Sequence, residues 1–325
     1  GGCIEMDYLM QALRRAALTL GMLLAGTAPA FAQAQSFAEL REMLQTAADP
    51  DTATAALVAL TELAESGHRS AQAELGRVWQ RGLGVTPDPV QAVRFWRMAA
   101  DQGHSASRNQ LARALQRGEG IEADPVEAVR LLRIGSDEAH VPSIANLARA
   151  LETGMGTEPD LAEAVRLYEY AAAEGQAFAR YRLALALAAG AGVAPDRARA
   201  VGLLEQLANE GYAAAPFALA EVLMAGRPRA VDRNRARVLW LAQAEAGNDR
   251  ALARLARNFP NDYVRLVQGA LRDRSVYRGR MNGRLTEQTI VAIARFCHQE
   301  GIADICRHGP MRSDAARALG QVLFP

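Results

Sequence analysis

Residues 118–132 read GEGIEADPVEAVRLL, and the same pattern returns at a fixed interval along the chain. Copies begin at Gly82, Gly118, Gly154 and Gly190, and a degenerate copy, GRPRAVDRNRARVLW, begins at Gly226. Each copy starts 36 residues after the previous one. A single Gly-x-Gly before a helix is typical of phosphate-binding loops. Five copies at one spacing instead indicate a structural repeat, in which the glycines mark a turn.

Four further columns of residues keep this spacing, with one exception at Ala139 in the turn-glycine column. The aspartate column is Asp88, Asp124, Asp160, Asp196 and Asp232, and the alanine column is Ala92, Ala128, Ala164, Ala200 and Ala236. The leucine column is Leu75, Leu111, Leu147, Leu183, Leu219 and Leu255, and the turn-glycine column is Gly67, Gly103, Gly175, Gly211 and Gly247. A repeat that holds register over so many positions is one supersecondary unit.

Each unit is predicted to contain two helices. The first has apolar residues at helical spacing and stops at a glycine. The second begins at the aspartate, whose carboxylate can accept unpaired backbone N–H groups of the first turn. Pro125 suits the first helical position, and Glu127 and Glu163 complete capping-box patterns. Because one helix pair cannot bury its apolar face alone, the units are expected to stack into a solenoid.

On these residues the chain resembles the Sel1-like repeats, longer relatives of tetratricopeptide repeats. Five copies extend from Gly67 to Ala246, a half copy follows to Phe259, and a degenerate capping hairpin occupies residues 33–66. The resemblance implies an all-α, right-handed solenoid of 36-residue helix-turn-helix repeats over residues 67–259, which binds proteins as an adaptor or regulator. A cysteine-rich branch of the family is linked to penicillin binding or hydrolysis. Residues 67–259 contain no cysteine, so that activity is not transferred.

Residues 1–32 are predicted to be an N-terminal extension and a signal peptide. Arg14 and Arg15 precede the short apolar run AALTLGMLLAG, which is followed by Ala30-Phe31-Ala32. A basic segment, a short apolar segment and a small-residue site are typical of secretory signals. We expect cleavage after Ala32 and a periplasmic location, and residues 1–5 are interpreted as a remnant of upstream sequence.

The composition excludes several function classes. The 325-residue chain has a formal net charge of +1, which gives no electrostatic reason to expect a nucleic acid partner. All 37 basic residues are arginine, which excludes P-loop and Schiff-base lysines. No nucleophile elbow or metalloprotease motif is present, and no other segment reaches transmembrane length. We therefore predict no catalytic residues, no cofactor, no metal and no enzymatic activity.

Residues 260–325 leave the 36-residue register and are predicted to form a small helical bundle. One amphipathic helix carries Val264, Leu266, Val267 and Leu271, and a second carries Ile290, Ile293 and Phe296 on one face. The string resembles the peptidoglycan-binding-domain-like module. The matching positions are Gln268, Leu271, Tyr277, Gly279, Asn282, Gly283, Thr286, Thr289 and Phe296.

This resemblance implies docking at the cell wall, and a structural cap or a protein-binding surface are the alternatives. Typical members have Asp-Gly where this chain has Asn282-Gly283, and Gly-Pro where it has Arg284-Leu285. They also usually end in Phe-Gln, whereas Phe296 is followed by cysteine. The resemblance therefore implies the fold of the module more than its ligand.

Cys297 and Cys306 both lie in this module. In an oxidising compartment the pair favours a disulfide. The alternative is a zinc site that uses both cysteines with His298 and His308, but adjacent Cys and His residues are not a usual ligand spacing.

Arginines and histidines also recur at the repeat spacing. Arg77, Arg113 and Arg149 lie on first helices, and Arg94, Arg130 and Arg166 lie on second helices. Either row could bind an acidic partner or a carboxylate-bearing glycan. The alternative is a solvated face with local Glu-Arg pairs. The resemblance implies that first helices line the concave side, which favours the Arg77 row.

His68, His104 and His140 are one repeat apart, and axes of packed helices lie about 8–10 Å apart, so these histidines cannot share one metal ion. They are interpreted as turn residues. The column of Trp96, Leu132, Tyr168, Leu204 and Trp240 is interpreted as core.

Two functions remain open. The first is an exported, non-catalytic scaffold or regulator that binds a protein partner at the cell envelope and associates with peptidoglycan through the C-terminal module. The second is an envelope hydrolase, or its activator, that acts on peptidoglycan or β-lactams.

Overall fold

The computed structural model describes residues 36–46, 49–225 and 229–325. The predicted signal peptide and its cleavage site lie outside the described residues. Within the described ranges the regular secondary structure is entirely helical, which confirms the predicted all-α solenoid class. In chain order the helices are α1 (Phe37–Thr46), α2 (Pro50–Glu65), α3 (Arg69–Arg81), α4 (Pro89–Asp101), α5 (Ser105–Arg117), α6 (Pro125–Asp137), α7 (Val141–Thr153), α8 (Leu161–Ala173), α9 (Ala177–Ala189), α10 (Arg197–Asn209), α11 (Ala215–Met224), α12 (Ala230–Glu245), α13 (Asp249–Asn258), α14 (Pro260–Asp273), α15 (Glu287–Gln299), α16 (Ala303–Cys306) and α17 (Ser313–Leu323).

The chain forms two compact units, and the boundary between them falls between Ser143 and Ile144, inside α7. The first unit contains the leading hairpin and the first two repeats. The second contains the later repeats together with the C-terminal module.

The second helix of each regular repeat begins where the sequence predicts. Asp88 accepts hydrogen bonds from the backbone N–H groups of Val90 and Gln91. Asp124, Asp160 and Asp196 each accept one from the residue three positions on. These side chains satisfy N–H groups that the helix itself leaves unpaired.

The reciprocal half of the predicted capping boxes is wrong. The Asp124 N–H donates to the carbonyl of Leu115 at 3.0 Å, so it does not need the Glu127 side chain. Glu127 instead accepts from Arg130 at 2.6 and 2.7 Å, and Glu163 pairs with Arg166 in the same way. The glutamates therefore contribute an ion pair within the helix in place of a second cap.

The fifth aspartate of the column also departs from the prediction. α12 begins at Ala230, so Asp232 lies inside its first turn and does not cap it. The Asp232 carboxylate is buried and is 3.0 Å from the guanidinium of Arg229 and 3.8 Å from that of Arg197. The degenerate copy thus replaces the cap with an ion-pair cluster, because burial of a carboxylate requires a partner.

The second glycine of the repeat turn touches the preceding repeat. Gly120 has a φ of +72°, and a Cβ at this position would lie 2.2 Å from the carbonyl oxygen of Pro89, in the first turn of α4. In the second unit, Gly192 meets the carbonyl of Leu161 in the same way, also at 2.2 Å. The turn therefore needs glycine both for its left-handed backbone and for close approach of successive repeats.

The apolar columns of the repeat are buried, which includes the column predicted to be core. Every leucine and alanine of the two columns is less than a tenth exposed, and so is each member of the Trp96 column. Small alanines allow helices to approach closely, and the leucines and aromatic residues fill the space between them.

The leading hairpin covers the apolar edge of the first repeat. Phe37 and Leu44 of α1 pack against a buried cluster that includes Leu60 of α2 and Leu75 of α3. The hairpin therefore covers an apolar surface that the first repeat would otherwise expose.

The other end of the array is closed by the last helix. α13 is the first helix of a sixth repeat, and α17 packs along it: a Cβ on Gly320 would lie 3.0 Å from the Asp249 Cα. Arg317 and Gln321 donate to the Asp249 carboxylate at 3.2 and 3.1 Å. The C-terminal helix therefore packs directly against the first helix of this last copy.

Candidate functional site

The first-helix arginines are partly buried and have intramolecular contacts. Arg77 pairs with Glu74, and its Nε lies 3.1 Å from a carboxylate oxygen of that residue. This hydrogen bond raises the pKa of Arg77. Arg113 donates to the side-chain oxygen of Gln110 at 2.9 Å. Arg149 lies on α7 with intermediate exposure.

The second-helix arginines are more exposed. Arg130 and Arg166 form ion pairs with the glutamates three residues earlier. Arg94 lies 4.0 Å from Glu65 and stacks over the ring of Phe95 at 5.1 Å. The contacts of Arg130 and Arg166 therefore match the alternative that the sequence left open, a solvated face with local Glu-Arg pairs.

A hydrogen-bonded cluster that the sequence analysis did not identify lies in the second unit. Glu152 of α7 accepts from Arg182 of α9 at 3.0 Å and from the hydroxyl of Tyr168 at 2.9 Å. Burial and the neighbouring carboxylate raise the pKa of Tyr168, so its hydroxyl stays protonated and donates. Arg254 and Glu221 repeat this contact between neighbouring first helices at 2.7 and 2.8 Å.

Second helices in the same unit are joined in a similar manner. Arg199 pairs with Glu169 at 3.0 Å, and Arg235 pairs with Glu205, each across one repeat. Both pairs are separated by 30 residues in sequence. A search for opposite charges at that separation would have found them, whereas the columns that we aligned have a separation of 36 residues.

The histidine column has a structural role that the sequence analysis did not identify. The Nδ1 atom of His68 accepts from the N–H of Ala71 at 3.2 Å, and that of His104 accepts from the N–H of Ser107 at 3.1 Å. In His140, Nδ1 lies 2.8 Å from the Ser143 hydroxyl. His68 and His104 therefore cap first helices, which gives these turn residues a specific structural role.

The His104 cap predicts a pH-dependent stability. Burial, and secondarily the charge of Arg69, lower the pKa of His104. Its Nδ1 must also be unprotonated to accept from the N–H of Ser107. The unfolded chain therefore binds more protons than the folded chain near pH 6.5. The stabilisation that the His104 cap provides is thus complete above that pH and decreases as the pH falls below it. We expect the urea midpoint to fall between pH 7.5 and 5.5, and His104→Asn to reduce the fall, since asparagine caps without titrating. Equal falls in both proteins would contradict this assignment.

The peptidoglycan-module motif forms an internal network. Gln268 is buried, and its Nε2 donates to the Arg284 carbonyl at 3.1 Å and to the Thr289 hydroxyl at 3.0 Å. Its Oε1 accepts from the N–H of Gly283 at 3.1 Å. The hydroxyl of Tyr277 lies 3.3 Å from Gln268 Nε2 and donates to the carbonyl of Arg280 at 2.9 Å. One glutamine therefore holds the turn between α14 and α15.

The other motif positions support the same turn. Thr286 caps α15, and Asn282 accepts from the N–H of Arg284 at 2.9 Å. Gly279 lies against the Tyr277 ring, where a Cβ would be 2.3 Å from the hydroxyl oxygen. Leu271 and Phe296 are buried. The motif residues hold the fold of the module, and their contacts identify no ligand.

Two further features of α15 complete the module. Cys297 and Cys306 form a disulfide, with Cα atoms 6.4 Å apart. The disulfide, not the zinc alternative, is therefore the arrangement found in the structure. Ile293 is buried as predicted, but Ile290 is exposed, which corrects its assignment to the apolar face.

Three further observations apply to the described ranges. No group of three or more His, Cys, Asp or Glu residues there is placed to hold a metal ion. None of the helices from α1 to α17 has the length and apolar character needed to cross a membrane. The module carries a groove of about 680 Å³ between the loop at Ser275–Arg278 and α15.

Residues 69–104, 105–140, 141–176 and 177–212 each match the Sel1 repeat. The predicted Sel1-like resemblance is therefore confirmed for four consecutive repeats. The resemblance of residues 260–325 to the peptidoglycan-binding-domain-like module stays a prediction.

Two crystal structures share the fold. A Sel1 repeat protein from Oxalobacter formigenes has 21% sequence identity and a TM-score of 0.51, over 63% of this chain and 88% of that chain. The second is c5321, a protective antigen present in uropathogenic Escherichia coli strains that displays an SLR fold. It has 22% identity and a TM-score of 0.55, over 84% of this chain and 59% of that chain. This chain thus spans less than two thirds of the length of c5321. No curated protein matches the chain.

Proposed function

We propose that this chain, with its four Sel1 repeats, is an exported, non-catalytic scaffold or regulator that binds a protein partner at the cell envelope. The observation that carries the proposal is the tandem array itself, since Sel1 repeat proteins are generally protein-interaction scaffolds. Stacked repeats present an extended surface of regularly spaced side chains, which suits recognition of another protein.

The residues that we propose for partner binding are the first-helix arginines, Arg77 and Arg113 in the first unit and Arg149 in the second. Arg77 and Arg113 are already oriented by Glu74 and Gln110, so they would lose little conformational freedom on binding. A planar guanidinium binds carboxylates through two hydrogen bonds. The partner is therefore expected to present acidic side chains to these arginines.

A crosslinked pull-down from the periplasm tests these arginines. The variant Arg77→Glu/Arg113→Glu/Arg149→Glu should lose the partner, because the charges of all three proposed binding residues are inverted. The matched control Arg94→Glu/Arg130→Glu/Arg166→Glu makes the same charge change on second helices and should keep it. Circular dichroism of both variants checks that they fold. A partner list unchanged by the first variant would contradict the proposed role of these arginines.

Association of the C-terminal module with peptidoglycan stays a separate prediction, to be tested by sedimentation of the full chain with isolated sacculi. Deletion of residues 261–325 is a poor control, because it also removes α17 from its contact with Asp249. A chain that stays in the supernatant would remove the wall-binding prediction. Turnover of nitrocefin, or release of sacculus fragments, would instead favour the alternative of an envelope hydrolase.

A further inference from the structure

The C-terminal module concentrates positive charge in one turn. Between Pro260 and Pro325 there are ten arginines and six acidic residues. Arg278, Arg280 and Arg284 follow one another in the turn between α14 and α15, and Arg295 lies on α15. All four are exposed, and none of their guanidinium groups has a hydrogen-bond or ion-pair partner among the described residues.

Most arginines elsewhere in the module differ in this respect. Arg312 pairs with Asp314 at 3.1 Å, Arg307 with Asp304 at 3.5 Å, and Arg317 with Asp249 at 3.2 Å. Among the described residues, the module's arginines without a hydrogen-bond or ion-pair partner are therefore concentrated in this turn and the adjacent face of α15, and Arg265 of α14 is the exception.

Side chains of the module's interior hydrogen-bond to the backbone of the turn that carries these arginines. The carbonyl of Arg284 accepts from Gln268, and the carbonyl of Arg280 accepts from the Tyr277 hydroxyl. Gly283 donates its N–H to Gln268. Because the backbone is fixed by buried side chains, the exposed arginines are displayed on a rigid support, as is typical of binding loops.

Exposed aliphatic side chains accompany the charges. Four of the twelve large apolar side chains that are exposed in the described residues fall between positions 281 and 291. They are Met281 at 44%, Leu285 at 37%, Ile290 at 44% and Val291 at 51% exposure. Val291 lines the same groove as Arg278 and Arg295, together with one carboxylate, Glu287.

We propose that this turn and the first part of α15 form a peripheral docking surface for an anionic lipid bilayer. Guanidinium groups attract lipid phosphates, and aliphatic side chains enter the boundary between headgroups and acyl chains. An anionic glycan would account for the arginines but not for four exposed aliphatic residues beside them. Docking here goes beyond the proposed scaffold function, because it would hold the repeat array at a membrane surface.

Vesicle co-sedimentation tests this surface. The protein is the chain from Gln33 onward, which keeps every described residue and omits the apolar run of the predicted signal peptide, since that run would itself enter lipid. Vesicles of phosphatidylethanolamine with phosphatidylglycerol should bind it, whereas pure phosphatidylcholine vesicles should not. Binding should weaken as salt increases, because exposed charges are screened.

Paired variants separate the contributions. Arg278→Gln/Arg295→Gln and Arg280→Gln/Arg284→Gln should each weaken binding about 25-fold, at about fivefold per arginine. The matched control Arg307→Gln/Arg312→Gln removes the same charge from ion-paired positions and should change binding by less than about twofold. Ile290→Ser/Val291→Ser should weaken binding about tenfold without any change of charge.

Several outcomes would overturn the proposal. They are equal binding to anionic and neutral vesicles, no binding to either, or an equal loss in the control variant. Binding to sacculi or an acidic polysaccharide through the same arginines, without binding to vesicles, would identify an anionic glycan as the ligand instead.

Discussion

Replacement of Gly120 by alanine should lower the free energy of unfolding by about 2–5 kcal/mol, which sums the cost of a left-handed residue with a Cβ and the cost of overpacking. The φ of Gly120 is +72°, and its Cβ would lie 2.2 Å from the Pro89 carbonyl oxygen. To relieve this clash, the turn would have to move away from the first turn of α4, which would loosen the stacking of successive repeats.

Gly84 provides a matched control for that variant. It occupies the same turn position in the preceding repeat, with a φ of +74°, but nothing lies within 4 Å of its Cβ position. Gly84→Ala should therefore cost only about 1–2 kcal/mol, from the backbone alone. Urea denaturation followed by circular dichroism measures both variants. Equal losses would show that the contact with Pro89 contributes nothing.

Replacement of Gln268 by methionine should destabilise the C-terminal module by about 3 kcal/mol or more, because several buried groups lose a partner at once. The Gly283 N–H and the Arg284 carbonyl both bond to this side chain, as does the Thr289 hydroxyl. Methionine has a similar volume, so the effect would come from unsatisfied polar groups and not from a cavity.

Gln299 is the control for this variant. It is an exposed residue at the end of α15, and Gln299→Met should change stability by less than about 0.5 kcal/mol. Hydrogen exchange of backbone amides in α14 and α15 locates the effect in the module. Unchanged protection in Gln268→Met would contradict the assigned network.

The fold was predictable because the same residue pattern recurs every 36 residues along the sequence. Columns such as Leu75 and Ala92 mark the core of each repeat, and Asp88 and its equivalents mark where second helices begin. These signals are local, since a helix cap and an apolar face depend on residues within a few turns of one another.

The candidate sites were less predictable. The positions Gln268, Tyr277 and Thr289 were singled out by resemblance, but only their contacts reveal that they bond to one another. Ile290 was assigned to the apolar face of α15 and is exposed, because helical spacing alone does not show how wide the buried face is.

The sequence by itself determined the helices, the repeat length and the core columns of this protein, because each follows from short-range periodicity and capping. Only the tertiary structure decided that α17 packs beside α13, that Glu152 accepts from Arg182, and that the guanidinium groups at 278, 280, 284 and 295 have no hydrogen-bond or ion-pair partner among the described residues. Those facts depend on which side chains come together from distant parts of the chain. A period of 36 residues indicates that the units stack, but it does not predict which charged side chains lack a partner in the folded chain.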